Sequence, residues 1–239
     1  MEKEKISINF SPGKISLAKI ETWLKEERLA TGEGFYVNWS TIKNAFAQGQ
    51  MAVLEMSNEP VGFAVWRPND KLTYLDIVEI HPSHRKKGLA GQLLAYFSDH
   101  FLTIGIMVIE LQCEPPESEL TWKKLGFIEF ASSFNSWGHK RLYKILTDSH
   151  RPDTPGNSDE SISLWDREPI YARDKPPVWQ WKLSFIEGTR KLMVPIVIAC
   201  DKDWKLSWRK NNNEVVTKKA KYFQEDCMSG DFLVIETIP

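Results

Sequence analysis

Charge of neither sign is in excess in this chain. There are 31 Lys and Arg against 32 Asp and Glu, a formal net charge of −1. A balance this close gives no global attraction to nucleic acid or to an anionic membrane, and neither is expected as a partner. The balance holds locally: residues 1–150 carry 17 basic and 18 acidic side chains, and residues 151–239 carry 14 of each. Cysteine is scarce. Cys113, Cys200 and Cys227 are odd in number and widely spaced, which fits neither a disulfide framework nor a zinc site and predicts a reducing, cytoplasmic setting. No apolar run approaches the roughly 18 residues of a membrane-spanning helix. Residues 1–5 lead into only a short apolar stretch, so no signal peptide is expected. There is no internal repeat. What remains is ordinary: 239 residues, 42% hydrophobic and 26% charged, enough to bury a sizeable core in one large or two small domains.

Residues 148–161 hold two prolines, a glycine and no large apolar side chain. A stretch of that composition predicts an exposed linker. The expected organisation is a domain over 1–147, a linker over 148–161 and a smaller β-rich domain over 162–239.

The first part predicts interleaved strands and helices. A short strand over Lys5–Phe10 is broken by Ser11-Pro12-Gly13. Leu17, Ile20, Trp23 and Leu24 then share one helical face over about residues 15–30. Ser40 could cap a second short helix bearing Ile42, Ala45 and Phe46. Met51–Ser57 and Val61–Arg67 read as a hairpin, and Leu72–Ile80 as a third strand stopped by Pro82. A helix over about 88–101, a strand over 106–113, a short helix over 117–125 and strands over 127–134 and 141–146 complete the order. That order is α/β, or α+β, with helices flanking a central mixed sheet. In the second part, alternation over Val178–Ile186 and Trp204–Trp208 predicts strands, with Trp179 and Trp181 on one face and Trp204 and Trp208 on one face. Core packing explains these tryptophans more economically than an aromatic platform. Residues 214–223 fit a return strand or a helix.

One segment carries chemistry. The strand Leu75-Asp76-Ile77-Val78-Glu79-Ile80 runs through His81 and Pro82 into Arg85-Lys86-Lys87-Gly88-Leu89-Ala90-Gly91, which opens a helix. The first amides of a helix have no intrahelical partner and sit at its positive end. With three cationic side chains beside them, they form an anion pocket suited to a pyrophosphate. Asp76 shares strand parity with Val78 and Ile80, whereas Glu79 has the opposite parity unless a bulge intervenes.

Arg85-x-x-Gly88-x-Ala90 after such a strand resembles the coenzyme A signature of the GNAT superfamily of N-acetyltransferases. Trp122-Lys123-Lys124-Leu125-Gly126-Phe127 is similar to a second family segment that usually begins with tyrosine. The resemblance covers about residues 1–147 and implies a GNAT-like fold that binds acetyl-CoA and transfers its acetyl group to an amine of a small molecule, peptide or protein. It implies that Val78, Glu79 and Ile80 hold the pantetheine and thioester. The amides of Lys86, Lys87, Gly88, Leu89, Ala90 and Gly91, after Arg85, would hold the pyrophosphate, with Trp122 at the coenzyme site. Family members often place a Glu or His nine residues before the motif Arg, which makes Asp76 the candidate base. Its alternatives are to bind the acceptor's ammonium or to stabilise a strand end. Trp122 departs from the pattern, because an indole N–H does not serve as the phenol's general acid. Tyr143 or Ser118 could donate instead, the thiolate could leave without help, or the domain could be a non-catalytic acetyl-CoA sensor.

No metal is expected: His81 and His84 have no further ligands spaced nearby. Cys113 reads as a buried, inert thiol. The C-terminal part resembles no family, and could cover the acceptor, join two copies as a homodimer or recruit a partner.

Overall fold

A computed structural model describes residues 5–131, 134 and 140–239. The chain divides into two compact units, and the division is not continuous in sequence. One unit takes the chain through Glu129 and regains it up to Leu146. The other takes Thr147–Pro239 and, among the described residues, Phe130, Ala131 and Phe134.

The first unit is a seven-stranded mixed sheet with helices on both faces. Its elements are β1 (Ile6–Asn9), α1 (Lys14–Thr31), α2 (Trp39–Ala47), β2 (Met51–Met56), β3 (Glu59–Asn69), β4 (Leu72–Ile80), α3 (Leu89–Thr103), β5 (Val108–Gln112), α4 (Glu119–Lys124), β6 (Ile128–Glu129) and β7 (Arg141–Ile145). The spatial order is β1-β2-β3-β4-β5-β7-β6. Every neighbouring pair is antiparallel except β4 and β5.

Alternation divides the sheet's side chains between two cores. On one face Ile20, Trp23 and Leu24 of α1 and Ile42 and Ala45 of α2 pack with Val53, Phe63, Val65 and Ile77. On the other, Leu89, Leu93, Leu94, Phe97 and Phe101 of α3 pack with Leu54, Ala64, Trp66, Leu75 and Ile80. Burying such stripes from both faces is what keeps a mixed sheet flat on the helices and dry. The β2–β3 hairpin turns on Ser57 and Asn58, both at positive φ, as a two-residue type I′-like connection requires. Ser40 does not cap α2. A 3-10 turn over Phe35–Asn38 feeds straight into the helix at Trp39, so Ser40 lies inside its first turn. The expected strand over 127–134 is short. β6 covers only Ile128–Glu129, and Phe130 then belongs to the second unit, where its ring lies edge-on to Phe232 at 5.5 Å. Ser132 and Ser133 of that expectation lie outside the described residues.

The second unit is entirely β apart from short 3-10 turns. β8 (Glu160–Leu164), β9 (Trp179–Lys182), β10 (Lys191–Ala199), β11 (Lys205–Lys210), β12 (Asn213–Lys219), β13 (Met228–Ser229) and β14 (Phe232–Thr237) form two antiparallel sheets. Their orders are β12-β11-β8-β9 and β10-β14-β13. Residues 213–219 are thus the return strand. Trp181 and Trp208 are buried in one core, against which Trp179 and Trp204 pack, stacked on each other at 5.6 Å.

The stretch 148–161 is tied into this unit. The His150 amide donates to Pro195, the Asp153 amide to Gln180 and the Ser158 hydroxyl to Leu183. A Cβ on Gly156 would sit 2.6 Å from the Leu183 carbonyl oxygen, so only glycine allows this close approach. The stretch ends in β8, a central strand. Glu160, buried at 6% exposure, receives both terminal nitrogens of Arg190 at 2.8 Å and the Trp208 indole N–H at 2.9 Å. Among the described residues no helix is long and apolar enough to cross a membrane.

Candidate functional site

The two parallel strands at the centre of the first unit part company. β4 and β5 pair only at Leu72–Val108, Thr73–Ile109 and Tyr74–Glu110. Beyond them the strands splay, and a cleft of about 840 Å³ opens. Its walls are Leu75–Glu79 of β4, Leu111 and Gln112 of β5, the turn from Glu114 to Ser118, Trp122 of α4, and Glu27 with Gly34 and Phe35 from the end of α1 and the turn after it.

A bulge shapes the β4 wall. Val65 pairs with Ile77 and Trp66 with Leu75, so Asp76 is an extra residue without a partner on β3. The regular alternation expected through Asp76 is therefore broken. Val78 and Ile80 pack on the α3 side, while Ile77 and Glu79 lie across from Val65 and Phe63 on the α1–α2 side. Asp76 is drawn to that second side by Arg67, whose Nε and terminal nitrogen donate to its two oxygens at 2.7 Å each. Arg67 also lies over the Tyr74 ring, 5.5 Å from its centroid.

Glu79 is held differently. Its Oε1 accepts from the Ile80 amide at 3.0 Å and from Arg85 at 2.8 Å, and Oε2 has no hydrogen-bond partner among the described residues. Burial pushes its carboxyl above the ordinary range; Arg85 opposes that shift in part, and the nearby Glu27 carboxylate adds to it. Arg85 does not reach toward the helix N-terminus. Its Nε donates to the Ile80 carbonyl at 2.9 Å, and its terminal nitrogen bridges Glu27 at 2.5 Å and Glu79. Both backbone groups of Ile80 are thus engaged by side chains.

The loop before α3 has the geometry of an anion cradle. Lys86 at φ 62° and Gly88 at φ 77° turn the chain so that the amides of Lys86, Lys87, Gly88, Leu89 and Ala90 donate to no acceptor among the described residues. The Gly91 amide is already spent on the Gly88 carbonyl at 3.1 Å. Gly91 has a packing role instead: a Cβ there would meet Leu125 at 3.3 Å. Leu89 is buried and anchors the helix, leaving only its amide for a ligand. Around Gly88 a Cβ would meet nothing within 4 Å, so that space is open. Five unclaimed amides, two free lysines and an open approach fit the pyrophosphate of a coenzyme A.

Trp122 lines the cleft, its ring edge-on to Phe127 at 5.3 Å. Ser118 lines it too, with a buried hydroxyl beside the Cys113 thiol. Tyr143 is not among the lining residues; it sits on β7 opposite Glu110, and burial pushes its phenol up. The Cys113 thiol is also pushed up by burial, with Glu119 adding to the shift. His81 stacks on Trp23 at 4.6 Å, and burial lowers its pKa. Among the described residues no group of three or more His, Cys, Asp and Glu is placed to hold a metal. Motif reading missed Glu27, near the C-terminal end of α1, and Gly34, in the turn after it; neither carries a local signal for the site.

Residues 14–127 match the model of the acetyltransferase (GNAT) family. No curated protein matches the chain. Among solved structures, it is similar to a GNAT-family acetyltransferase from Listeria monocytogenes 4b F2365, at 12% identity and a TM-score of 0.50 over 60% of this chain and 96% of that one. It is also similar to the PaiA N-acetyltransferase from Thermoplasma acidophilum in complex with coenzyme A (13% identity, TM-score 0.49, 59% and 99% covered). A third is the N-acetylglutamate synthase from Neisseria gonorrhoeae complexed with coenzyme A and N-acetyl-glutamate (13%, 0.48, 62% of this chain), of whose length this chain spans 36%. At such identities the likeness concerns the fold. The family match, the mixed sheet with its splayed central strands and the loop before α3 agree: residues 14–127 of this chain form a domain of the GNAT acetyltransferase family.

Proposed function

We propose that the chain is an acetyl-CoA-dependent N-acetyltransferase acting on a primary amine of a small molecule, peptide or protein by direct attack on the thioester. The observation that carries this reading is the loop before α3, whose amides from Lys86 to Ala90 donate to no acceptor among the described residues and which follows directly on β4, the strand that walls the cleft. Bound there, acetyl-CoA would supply an acetyl thioester. The amides and Lys86 and Lys87 bind its pyrophosphate. The β4 backbone at Val78 and Glu79, which no strand pairs on the β5 side, takes the pantetheine, and Trp122 walls the cleft beside it. Asp76, Glu79 and Glu27 face the acceptor, as do Glu33, Glu114 and Glu117, and among the described residues Arg85 is the one lining cation. An excess of carboxylates favours an acceptor that arrives as an ammonium. Thiol release from acetyl-CoA on incubation with a panel of amines tests the reading. Release with at least one amine is expected, and binding of acetyl-CoA without release on a broad panel counts against it.

One observation favours a second reading, a non-catalytic acetyl-CoA sensor: Trp122, with no titrating proton, stands where a tyrosine would donate to the leaving thiolate. If transfer appears in Trp122→Tyr and is absent from the native protein, the sensor reading holds.

A further inference from the structure

Two carboxylates line the β4 wall of the cleft and differ in what they can do. Asp76 has both oxygens closed by one guanidinium, that of Arg67, at 2.7 Å. Each Asp76 oxygen therefore already has a charge-assisted partner with which a substrate proton would have to compete. Glu79 receives both of its hydrogen bonds on a single oxygen, Oε1, and its side chain is only 11% exposed. The two share the α1–α2 side: Glu79 lies there with Ile77 by the regular pairing that follows the bulge, and Arg67 draws the bulged Asp76 to it.

Among the described residues, the charges that face Glu79 come from several places. From α1 comes Glu27, from the loop before α3 comes Arg85, and Asp76 with its Arg67 lies further along the same strand. Across the cleft lie Glu33, Glu114 and Glu117. Arg85 bridges two carboxylates, each with a second oxygen that carries no bond among the described residues, so the trio by itself sums to one negative charge. Gly34 makes room for this arrangement. A Cβ there would stand 3.2 Å from the carboxyl carbon and Oε2 of Glu27.

We infer that Glu79, and not Asp76, takes the proton of the acceptor amine, with Glu27 and Arg85 as its positioning residues. This inference rests on the acetyltransferase reading. In the step it describes, the acceptor's ammonium first releases one proton to water; the neutral amine nitrogen then forms a bond to the thioester carbonyl carbon as the carbon–sulfur bond breaks. The electron pair of that bond leaves on sulfur, and the surplus proton of the nitrogen passes to Glu79 Oε2. Charge balances, since the carboxylate becomes a carboxylic acid while the thiolate is formed; the thiolate then takes a proton from water. A buried carboxyl with a raised pKa and one oxygen left unbonded among the described residues is a better match to this task than one whose two oxygens are both bonded to a guanidinium.

The test joins two readouts. In the native protein labelled with ¹³C at glutamate carboxyl carbons, the resonance that disappears in Glu79→Gln should titrate above ordinary glutamate. With the best amine of the panel, kcat/KM should fall at low pH with that same midpoint. Glu79→Gln should abolish this limb and lower kcat/KM by about 10²-fold or more, the size of a general-base contribution. Asp76→Asn should keep the limb, whatever it does to KM, and Glu79→Asp should restore part of the rate. A Glu79 resonance at or below the ordinary value, or a limb that survives Glu79→Gln and vanishes in Asp76→Asn, overturns the inference alone. If acetyl-CoA does not bind or no amine releases thiol, the acetyltransferase reading falls and takes this one with it.

Discussion

Arg67 and Asp76 form a two-point ion pair across neighbouring strands, 2.7 Å at each contact, at the one place where β3 and β4 are out of register. The pair gives the bulged residue a partner that the ladder denies it. Arg67 is nevertheless mostly in water, its side chain 65% exposed. We expect Arg67→Ala to cost no more than about 1 kcal/mol, as exposed pairs do. The urea midpoint with an unchanged slope checks this.

Gly34 precedes the turn that leads into α2, at φ 93° and ψ 171°. That region is open to glycine almost alone, and a side chain there costs about 1–3 kcal/mol. Gly34→Ala would also press on the Glu27 carboxylate. We expect a loss of stability in that range, together with a fall in kcat/KM. A control, Gly13→Ala, has open space at a glycine of ordinary φ and should do neither.

Glu160 ties the second unit together across its core. Hydrogen bonds from Arg190 hold its carboxyl below the ordinary value of 4.5, and the Trp208 indole helps. A depressed acid contributes stability that is fully present above the unfolded value and is lost as pH falls through the folded one. The second unit should therefore loosen on acidification below about pH 4.5, the onset set by the unfolded carboxyl. Glu160→Ala leaves the Trp208 N–H without its buried acceptor, while Arg190, 40% exposed, turns to water. The substitution should cost about 1–3 kcal/mol. Tryptophan fluorescence against pH and urea reads both effects.

Much of this was legible in local pattern. The spacing of Leu17, Ile20, Trp23 and Leu24 is the buried stripe of α1, and the alternation of Trp179 with Trp181 is the core face of β9. The Arg85–Gly91 segment announces a helix N-terminus because glycine and a run of cations have few other uses before an apolar helix. What escaped depends on partners far apart in the chain. The bulge at Asp76 is a property of two strands together and leaves no mark on either sequence. The trio of Glu27, Glu79 and Arg85 spans 58 positions and assembles only when α1 lies on the sheet. β8 hid behind a stretch rich in proline and polar residues, although Ser161, Ile162, Ser163 and Leu164 alternate; its pairing with β9 and β11 supplies the burial that composition did not suggest. Arg85 reads in the motif as a phosphate ligand, yet two carboxylates and a carbonyl in reach hold it more firmly than a solvated approach to the loop would.

We propose that the loop before α3 holds the pyrophosphate of acetyl-CoA on the amides from Lys86 to Ala90. Calorimetric titration of the native protein and of Gly88→Glu with acetyl-CoA tests it most directly. Glu at 88 would stand at positive φ and set a carboxylate among those amides. We expect saturable one-site binding by the native protein and a loss of about 100-fold or more in the variant, as an opposed charge and a strained turn together imply. Equal affinity in the two proteins, with the variant folded, would contradict the claim, and so would the absence of binding in the native one.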